Sequence, residues 1–170
     1  KIIALTDSMN PWHSYWIRVG QYLNDLKVET TTTDNANSIS ALRKDDVLIL
    51  YRYNSAWGNM ENVLKSISQK GIRIISDVDD YLWQAESWNK ERLTGWTLNL
   101  KNSDQITCST IDLRDMLKIM FPRKEIILIP NSTPVKRRII PHNSNEGLRI
   151  CWTGAPWTRP NDLKLLIPLA

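Results

Sequence analysis

Cysteine and histidine are scarce: the 170-residue chain has two of each, and the cysteines are Cys108 and Cys151. Two cysteines so far apart cannot form a disulfide framework, and their separation matches no metal-ligand spacing. Both lie in apolar, strand-like runs, where a buried free thiol is the ordinary interpretation. We therefore expect a reducing, cytoplasmic environment.

Long hydrophobic runs and a strong charge of one sign are also lacking. No stretch approaches the roughly 18 apolar residues that a membrane-spanning helix needs, and no signal-peptide pattern opens the chain. The 22 Lys and Arg against 18 Asp and Glu are scattered, apart from Lys136-Arg137-Arg138. Nucleic-acid-binding proteins concentrate basic residues on one face, so nucleic acid is not an expected partner. Peripheral association with a membrane is left open.

Glycine is infrequent, and none of the six glycines belongs to a common cofactor or nucleophile loop. Neither Gly-x-Gly-x-x-Gly nor the Walker lysine loop is present. Gly-x-Ser-x-Gly is absent as well, and Cys108 looks buried, so the sequence gives no support to serine or cysteine nucleophilic catalysis.

Short apolar runs alternate with helical patterns over residues 1–130. The predicted strands are Ile2–Leu5, Val28–Thr33, Val47–Tyr51, Ile72–Ile75, Gln105–Cys108 and Ile126–Ile129. The predicted helices are Tyr15–Leu26, Ser38–Arg43, Met60–Ile67 with Gly71 as its C-cap, Lys90–Lys101, and one that opens at Ser109 and buries Leu113, Leu117 and Met120. Nearly continuous apolar strands are typical of a parallel sheet covered on both faces. We predict an α/β domain with a Rossmann-like, doubly wound parallel sheet.

The pattern changes after residue 130. Residues 131–147 hold two prolines, three basic residues and a glycine without periodicity, which predicts a linker. Residues 148–170 read as one strand, a glycine turn and a helix, the first β-α unit of a second domain. One such unit cannot bury its own apolar face, and the chain begins inside a strand-like run. We therefore expect a longer protein that is cut short at both ends.

Polar and aromatic residues follow the predicted strands, at the edge where open parallel sheets bind ligands. The candidates that follow the strands of the first domain are His13, Trp57, Asp77, Asp79, Asp80, Trp83 and Asn131. Indole faces with carboxylates and amides between them suit a polyhydroxylated ligand, because C–H faces stack on rings and hydroxyls bond the polar groups. The alternative is that the indoles only cap the edge of the core.

Asp77, Asp79 and Asp80 form the sharpest local feature. Their mutual repulsion favours protonation of at least one carboxyl unless a cation or hydrogen bonds intervene. Catalysis by a general base, for which His13 is the other candidate, fits this cluster, and so does a divalent-metal site. A strand followed by Asp-x-Asp also resembles the haloacid-dehalogenase phosphatases. The structural alternative is a helix cap. Strand alternation predicts that Asp77 and Asp79 share a direction and that Asp80 points elsewhere.

Four segments in series resemble the landmarks of GT-B glycosyltransferases of the group-1, family-4 kind. They are IISDVDDYLW, SDQITCSTIDLRDML, IILIPNSTP and LRICWTGAPWTRPNDLKLL, and the early SYWIRVGQYL resembles a helix that would place Arg18 near the cleft. The usual glycine-rich first loop is replaced here by TDSMNPWH, and the donor-binding half is absent.

The resemblance implies an enzyme that transfers a sugar from a nucleotide sugar to a hydroxyl acceptor in the synthesis of a surface glycan. The first domain would form the acceptor side, with Asp77, Asp79 and His13 catalytic. The substrate-binding residues would be Arg18, Trp57, Asp80, Trp83 and Asn131. Gly154, Trp157 and Arg159 would border the donor phosphates, helped by backbone N–H groups at the helix start. No obligatory metal or other cofactor is expected, and residues 1–170 alone would be inactive. The rival hypothesis is a non-catalytic module of the same fold that binds carbohydrate or nucleotide.

Overall fold

The computed structural model describes residues 1–6, 16–32, 39–51, 60–81, 83 and 90–131. The chain divides into two compact units, Lys1–Thr133 and Pro134–Ala170. The described residues all belong to the first unit. The predicted second-domain unit and all of the predicted linker except residue 131 therefore lie outside the described residues.

Six strands in the described residues form one parallel sheet. They are β1 (Ile2–Thr6), β2 (Glu29–Thr32), β3 (Val47–Tyr51), β4 (Arg73–Val78), β5 (Gln105–Cys108) and β6 (Glu125–Leu128). Their order is β2-β1-β3-β4-β5-β6, and every neighbouring pair is parallel. The predicted Rossmann-like parallel α/β architecture is therefore confirmed. The order reverses between β1 and β3, which is the switch point of a doubly wound sheet.

The helices connect these strands. One π-helical turn, Trp16–Gly20, runs directly into α1 (Gln21–Asp25), and the longer helices are α2 (Met60–Gln69), α3 (Lys90–Asn102) and α4 (Ile111–Met120). Gly71 follows α2 with a φ of 74°, a left-handed conformation that costs glycine little and ends the helix as predicted. None of these helices in the described part of the chain has both the length and the apolar character that crossing a bilayer requires.

The core lies on both faces of the sheet. Leu48 of β3 pairs in register with Ile3 and Ile74, and this face packs against Leu64 and Ile67 of α2. The same face continues over β5, under α3 and α4. The opposite face carries Ala4 and Tyr51 against Leu23 of α1. Successive strand residues point to opposite faces, so the apolar runs serve both helical layers.

Strand β4 extends beyond its prediction. It was expected over Ile72–Ile75, but it spans Arg73–Val78 and takes in Ser76 and Asp77. The apolar run stops at Ile75, whereas the ladder continues because both polar side chains find partners. The Ser76 hydroxyl bonds that of Ser103 at 2.6 Å. Asp77 is consequently a strand residue, in register with Tyr51 on β3 and Thr107 on β5.

The cap of helix α4 lies one residue beyond Ser109, where the helix was predicted to open. Thr110 is its N-cap, and the Thr110 hydroxyl accepts a hydrogen bond from the Leu113 N–H at 3.2 Å. Leu113 and Leu117 are buried as expected. The prediction for Met120 was wrong, since 40% of that residue is exposed. The helix ends at Met120, and the next residue, Phe121, fills the core instead.

Candidate functional site

Three neighbouring strands bring polar side chains together at their carboxyl ends. The ladder aligns Tyr51 of β3 with Asp77 of β4, and Asp77 with Thr107 of β5. Register partners in a parallel sheet face the same side, so these three side chains are neighbours. The helix that covers this side of the sheet is α1, which follows directly from the π-helical turn containing Arg18.

Arg18 and Asp77 form a buried, two-pronged ion pair. Nε of Arg18 donates to Oδ2 of Asp77 at 2.6 Å, and Nη2 donates to Oδ1 at 2.8 Å. The Thr107 hydroxyl donates to the same Oδ1. Only 7% of Arg18 and 3% of Asp77 is exposed. The wider π turn that carries Arg18 is a rare feature that is frequent at functional sites.

Two opposing influences act on the Asp77 carboxyl. Burial raises the pKa of Asp77 above its ordinary value of 3.8, because water no longer stabilises the charge. The hydrogen bonds and positive charge of Arg18, and the Thr107 hydroxyl, oppose that rise. Asp77 therefore depends on Arg18 for its charge, and it already accepts hydrogen bonds from three donors. In this arrangement Asp77 organises the edge of the sheet, and it is poorly placed to take a proton from a ligand.

Asp79 follows β4 and is held at both its side chain and its backbone. The Tyr51 hydroxyl donates to Oδ2 of Asp79 at 2.8 Å, and the Ser109 hydroxyl donates to its carbonyl oxygen at 3.0 Å. Tyr51 is the register partner of Asp77. The strand ends at Val78, so the alternation that predicted a shared direction for Asp77 and Asp79 does not extend to Asp79, which is linked to the strand end through Tyr51.

A hollow of about 490 Å³ opens beside this segment. Its lining combines carboxylates, a phenol, a hydroxyl and two apolar side chains: Asp79, Asp80, Tyr81, Thr110, Asp112, Leu113 and Met116. It lies between the end of β4 and the start of α4. We call it the acidic hollow.

Trp83 is part of an aromatic stack that reaches into the core. Its ring centroid lies 5.6 Å from that of Tyr81 and 4.2 Å from that of Trp96. Trp96 is only 1% exposed, and Trp83 packs against the same hydrophobic cluster. This geometry favours packing for Trp83 and leaves Tyr81 as the aromatic side chain at the acidic hollow.

Apart from Trp83, the candidate residues from the sequence divide into three groups. Arg18, Asp77 and Asn131 form one hydrogen-bonded set, since Nη1 of Arg18 also donates to Oδ1 of Asn131 at 2.9 Å. Asp79 and Asp80 line the acidic hollow. A further five candidates lie outside the described residues, so their roles remain predictions: His13, Trp57, Gly154, Trp157 and Arg159.

Sequence reasoning missed four polar residues of this edge: Tyr51, Thr107, Thr110 and Asp112. Tyr51 and Thr107 stand at or near the ends of correctly predicted strands, so a parallel register would have placed both beside Asp77. Thr110 and Asp112 lie at the start of α4, where the sequence predicted only the opening of a helix. A helix that begins directly after a strand starts at the edge of the sheet where ligands bind, so the position of both residues after β5 could have indicated them.

Cys108 does not contribute a nucleophile here. It is fully buried, and burial raises the pKa of its thiol. The nearest acceptors of the thiol are the carbonyl oxygens of Ile127 and Thr110, at 3.6 and 3.8 Å from Sγ. A protonated, enclosed thiol is a packing group.

The described residues contain no group of three or more His, Cys, Asp or Glu side chains arranged to hold a metal ion. The chain matches no known family model, and no curated protein matches it. What the domain does must therefore follow from the chemistry of its own site.

Proposed function

We propose that this domain forms the acceptor side of a glycosyltransferase, which moves a sugar from a nucleotide sugar to a hydroxyl group of a glycan. The observation that carries the proposal is the acidic hollow at the carboxyl edge of the sheet. The proposal is also supported by the order of the four sequence landmarks, which resembles that of GT-B enzymes.

The lining of the acidic hollow selects the kind of ligand. Asp79, Asp80 and Asp112 are three acidic residues in the lining of one space. Together they create a negative potential that disfavours phosphate groups. Carboxylates accept hydrogen bonds from hydroxyls, and the ring of Tyr81 offers an apolar face for sugar C–H groups. A neutral polyhydroxylated acceptor fits, whereas a nucleoside diphosphate belongs elsewhere.

Within this proposal, Asp79 is the general base for the acceptor hydroxyl. Asp79 lines the hollow, and its carboxylate is oriented by the Tyr51 hydroxyl. A positioned carboxylate next to the reacting hydroxyl accelerates transfer by accepting its proton. Asp80 binds further hydroxyls. Asp77, first predicted as catalytic, supports the site through Arg18.

The donor would bind to residues outside the acidic hollow. The resemblance assigns the donor phosphates to Gly154, Trp157 and Arg159, and to a second domain. It also implies a reaction in the cytoplasm, where nucleotide sugars are available, without an obligatory metal. These assignments rest on the resemblance alone.

The test is donor turnover by the full-length protein that the gene encodes. UDP- and GDP-sugars are supplied with methyl glycosides as acceptors, and release of nucleoside diphosphate is measured. Asp79→Asn should lower turnover by about 10²- to 10⁴-fold, because it removes a general base. Asp80→Asn should chiefly raise the KM for the glycoside. Asp25→Asn, an exposed change on α1, is the matched control and should behave as wild type.

Three results would contradict the proposal. Equal turnover in wild type and Asp79→Asn would leave the hollow without a catalytic role. Loss of activity in chelator, restored by manganese, would favour a metal site. Glycoside binding without turnover of any donor would favour the rival, a non-catalytic carbohydrate-binding module.

A further inference from the structure

The guanidinium of Arg18 links the sheet to the segment that follows β6. Its Nε and Nη2 groups face Asp77, whereas Nη1 donates to the Ile129 carbonyl oxygen at 2.7 Å and to Oδ1 of Asn131 at 2.9 Å. Four hydrogen bonds therefore fix the plane of one buried side chain. Asp77 supplies the negative charge that such a cation needs in the interior.

The segment after β6 leaves the ladder at this point. The Ile129 N–H still donates to the Cys108 carbonyl oxygen at 2.8 Å. Pro130 has no N–H group and cannot continue the pairing. Asn131 is exposed, and its side-chain oxygen is held by Arg18.

This contact determines which way the Asn131 carboxamide faces. A guanidinium has only hydrogen-bond donors, so the atom turned toward it must be the carboxamide oxygen. The NH₂ group of Asn131 then points away from Arg18, on an exposed residue just beyond the carboxyl end of β6. An unrestrained asparagine would offer oxygen and nitrogen alternately.

We propose that Arg18 is a positioning residue that acts through Asn131, orienting its NH₂ group to donate a hydrogen bond to an oxygen of the glycan acceptor. The identity of this ligand rests on the proposed function. Sugar hydroxyls both donate and accept hydrogen bonds. Carboxylates satisfy only the donors of a sugar, whereas the Asn131 NH₂ group can satisfy an acceptor.

The positioning is tested without any ligand, by NMR of the ¹⁵N-labelled protein. In wild type, the Asn131 side-chain NH₂ group should give a heteronuclear NOE close to that of the neighbouring backbone. In Arg18→Lys it should become mobile, because lysine keeps the charge beside Asp77 but lacks the second arm of the fork. Equal mobility of the NH₂ group in both proteins would overturn the positioning role.

The role of the Asn131 NH₂ group as a hydrogen-bond donor is tested with Asn131→Asp, using methyl glycosides of glucose, galactose and mannose as probes. Aspartate still accepts from Arg18 and keeps the clamp, but it has no NH₂ group. We expect an unchanged thermal midpoint and a Kd for the bound glycoside about three- to tenfold weaker, the usual effect of one neutral hydrogen bond. Asp25→Asn should bind as wild type.

The two proposals fail in different ways. Equal Kd values for wild type and Asn131→Asp would overturn the donor role and leave the acceptor-binding function standing. No binding of any glycoside to wild type would overturn the acceptor-binding function together with the donor role. The NMR comparison of wild type and Arg18→Lys would still decide whether Arg18 positions Asn131.

Discussion

Two hollows of similar size differ in chemistry and in place. The acidic hollow, about 490 Å³, lies at the carboxyl end of β4 and is lined by three carboxylates. The second, about 390 Å³, lies in the helical layer. It has no acidic residue, and its lining combines three aliphatic residues, three uncharged polar residues and one cation: Ile39, Ser40, Asn62, Val63, Ser66, Ile67 and Lys70. We call it the apolar hollow.

Under the proposed function, the ligand site is distinguished by its position at the carboxyl edge of the sheet and by its hydrogen-bonding groups, and not by its volume. The apolar hollow borders α2, whose buried face already packs on an aliphatic core. The acidic hollow stands next to a buried ion pair between Arg18 and Asp77. Replacing such a pair by apolar residues is often neutral or stabilising, so stability alone does not explain it. The proposed role in organising ligand groups accounts for it.

The largest expected effect is the loss of the cation behind the acidic hollow. Arg18→Met keeps an apolar stem but leaves the Asp77 carboxylate buried without its partner. We expect a loss of about 3–5 kcal/mol in the free energy of unfolding, measured in urea near neutral pH. The double variant Arg18→Met/Asp77→Leu should recover most of that loss. A loss below about 1 kcal/mol in the single variant would show that the pair is not effectively buried.

The free energy of unfolding of Arg18→Met should also depend on pH. Without Arg18, only the effects of burial and of Thr107 remain large, so the pKa of Asp77 rises further above 3.8. A carboxyl whose pKa is raised on folding contributes stability that is present below its unfolded pKa and lost as the pH rises through its folded pKa. The deficit of Arg18→Met against wild type should therefore be smaller near about pH 4.5 than near about pH 8. A deficit independent of pH would contradict this interpretation.

The next largest effect is expected when a buried side chain beneath the apolar hollow is shortened. Ile67 is 4% exposed and belongs to both the aliphatic core and the hollow's lining. Ile67→Ala should cost about 2–5 kcal/mol, since it removes buried methylene groups. Binding of methyl glycosides to the folded protein should be unchanged. Weaker glycoside binding in Ile67→Ala would mean that the two hollows are not independent.

A smaller effect is expected at the start of α4. Thr110 caps this helix and also lines the acidic hollow. Thr110→Ala should cost about 1 kcal/mol, and Thr110→Ser should restore most of it because serine can accept the same bond. Urea unfolding of the three proteins measures the difference. Equal stability of the alanine variant and wild type would show that the cap contributes nothing.

The smallest effect is expected at the exposed pair near the apolar hollow. Glu61 and Lys65 lie one turn apart on α2, 2.8 Å between Nζ and Oε1. Lys65 lowers the pKa of Glu61, but both side chains are solvated. Glu61→Gln should leave the urea midpoint unchanged near neutral pH, because exposed pairs are screened by solvent and salt. A clear drop would reveal a stabilising role that exposure does not suggest.

The sequence predicted the architecture well because its strands are short and apolar. The bounds of β3 and β5 were predicted to the residue, and the helix pattern at Met60 and Ile67 identified α2. The spacing of apolar residues is a local property of the sequence, so it predicts which strands and helices form. It failed at the end of β4, where Ser76 and Asp77 continue a strand by reaching partners distant in sequence.

The candidate site was predicted only in part, for the same reason. The crowding of Asp77 and Asp79 implied an intervening cation or hydrogen bonds, and the resemblance placed Arg18 near the cleft. Nothing local paired these residues, because Arg18 and Asp77 are 59 positions apart. Tyr51 reaches Asp79 across 28 positions. Such contacts follow from strand order and register, which the pattern of apolar residues does not specify.

The most direct test of the central claim is residue-by-residue NMR mapping of glycoside binding. Methyl glycosides of glucose, galactose and mannose are titrated into the ¹⁵N-labelled protein. The account predicts backbone shifts at Asp79–Tyr81 and Thr110–Leu113, abolished or weakened in Asp80→Asn, with the lining of the apolar hollow unmoved. Shifts confined to Ile39, Val63 and Lys70, or no shifts with any glycoside, would contradict it.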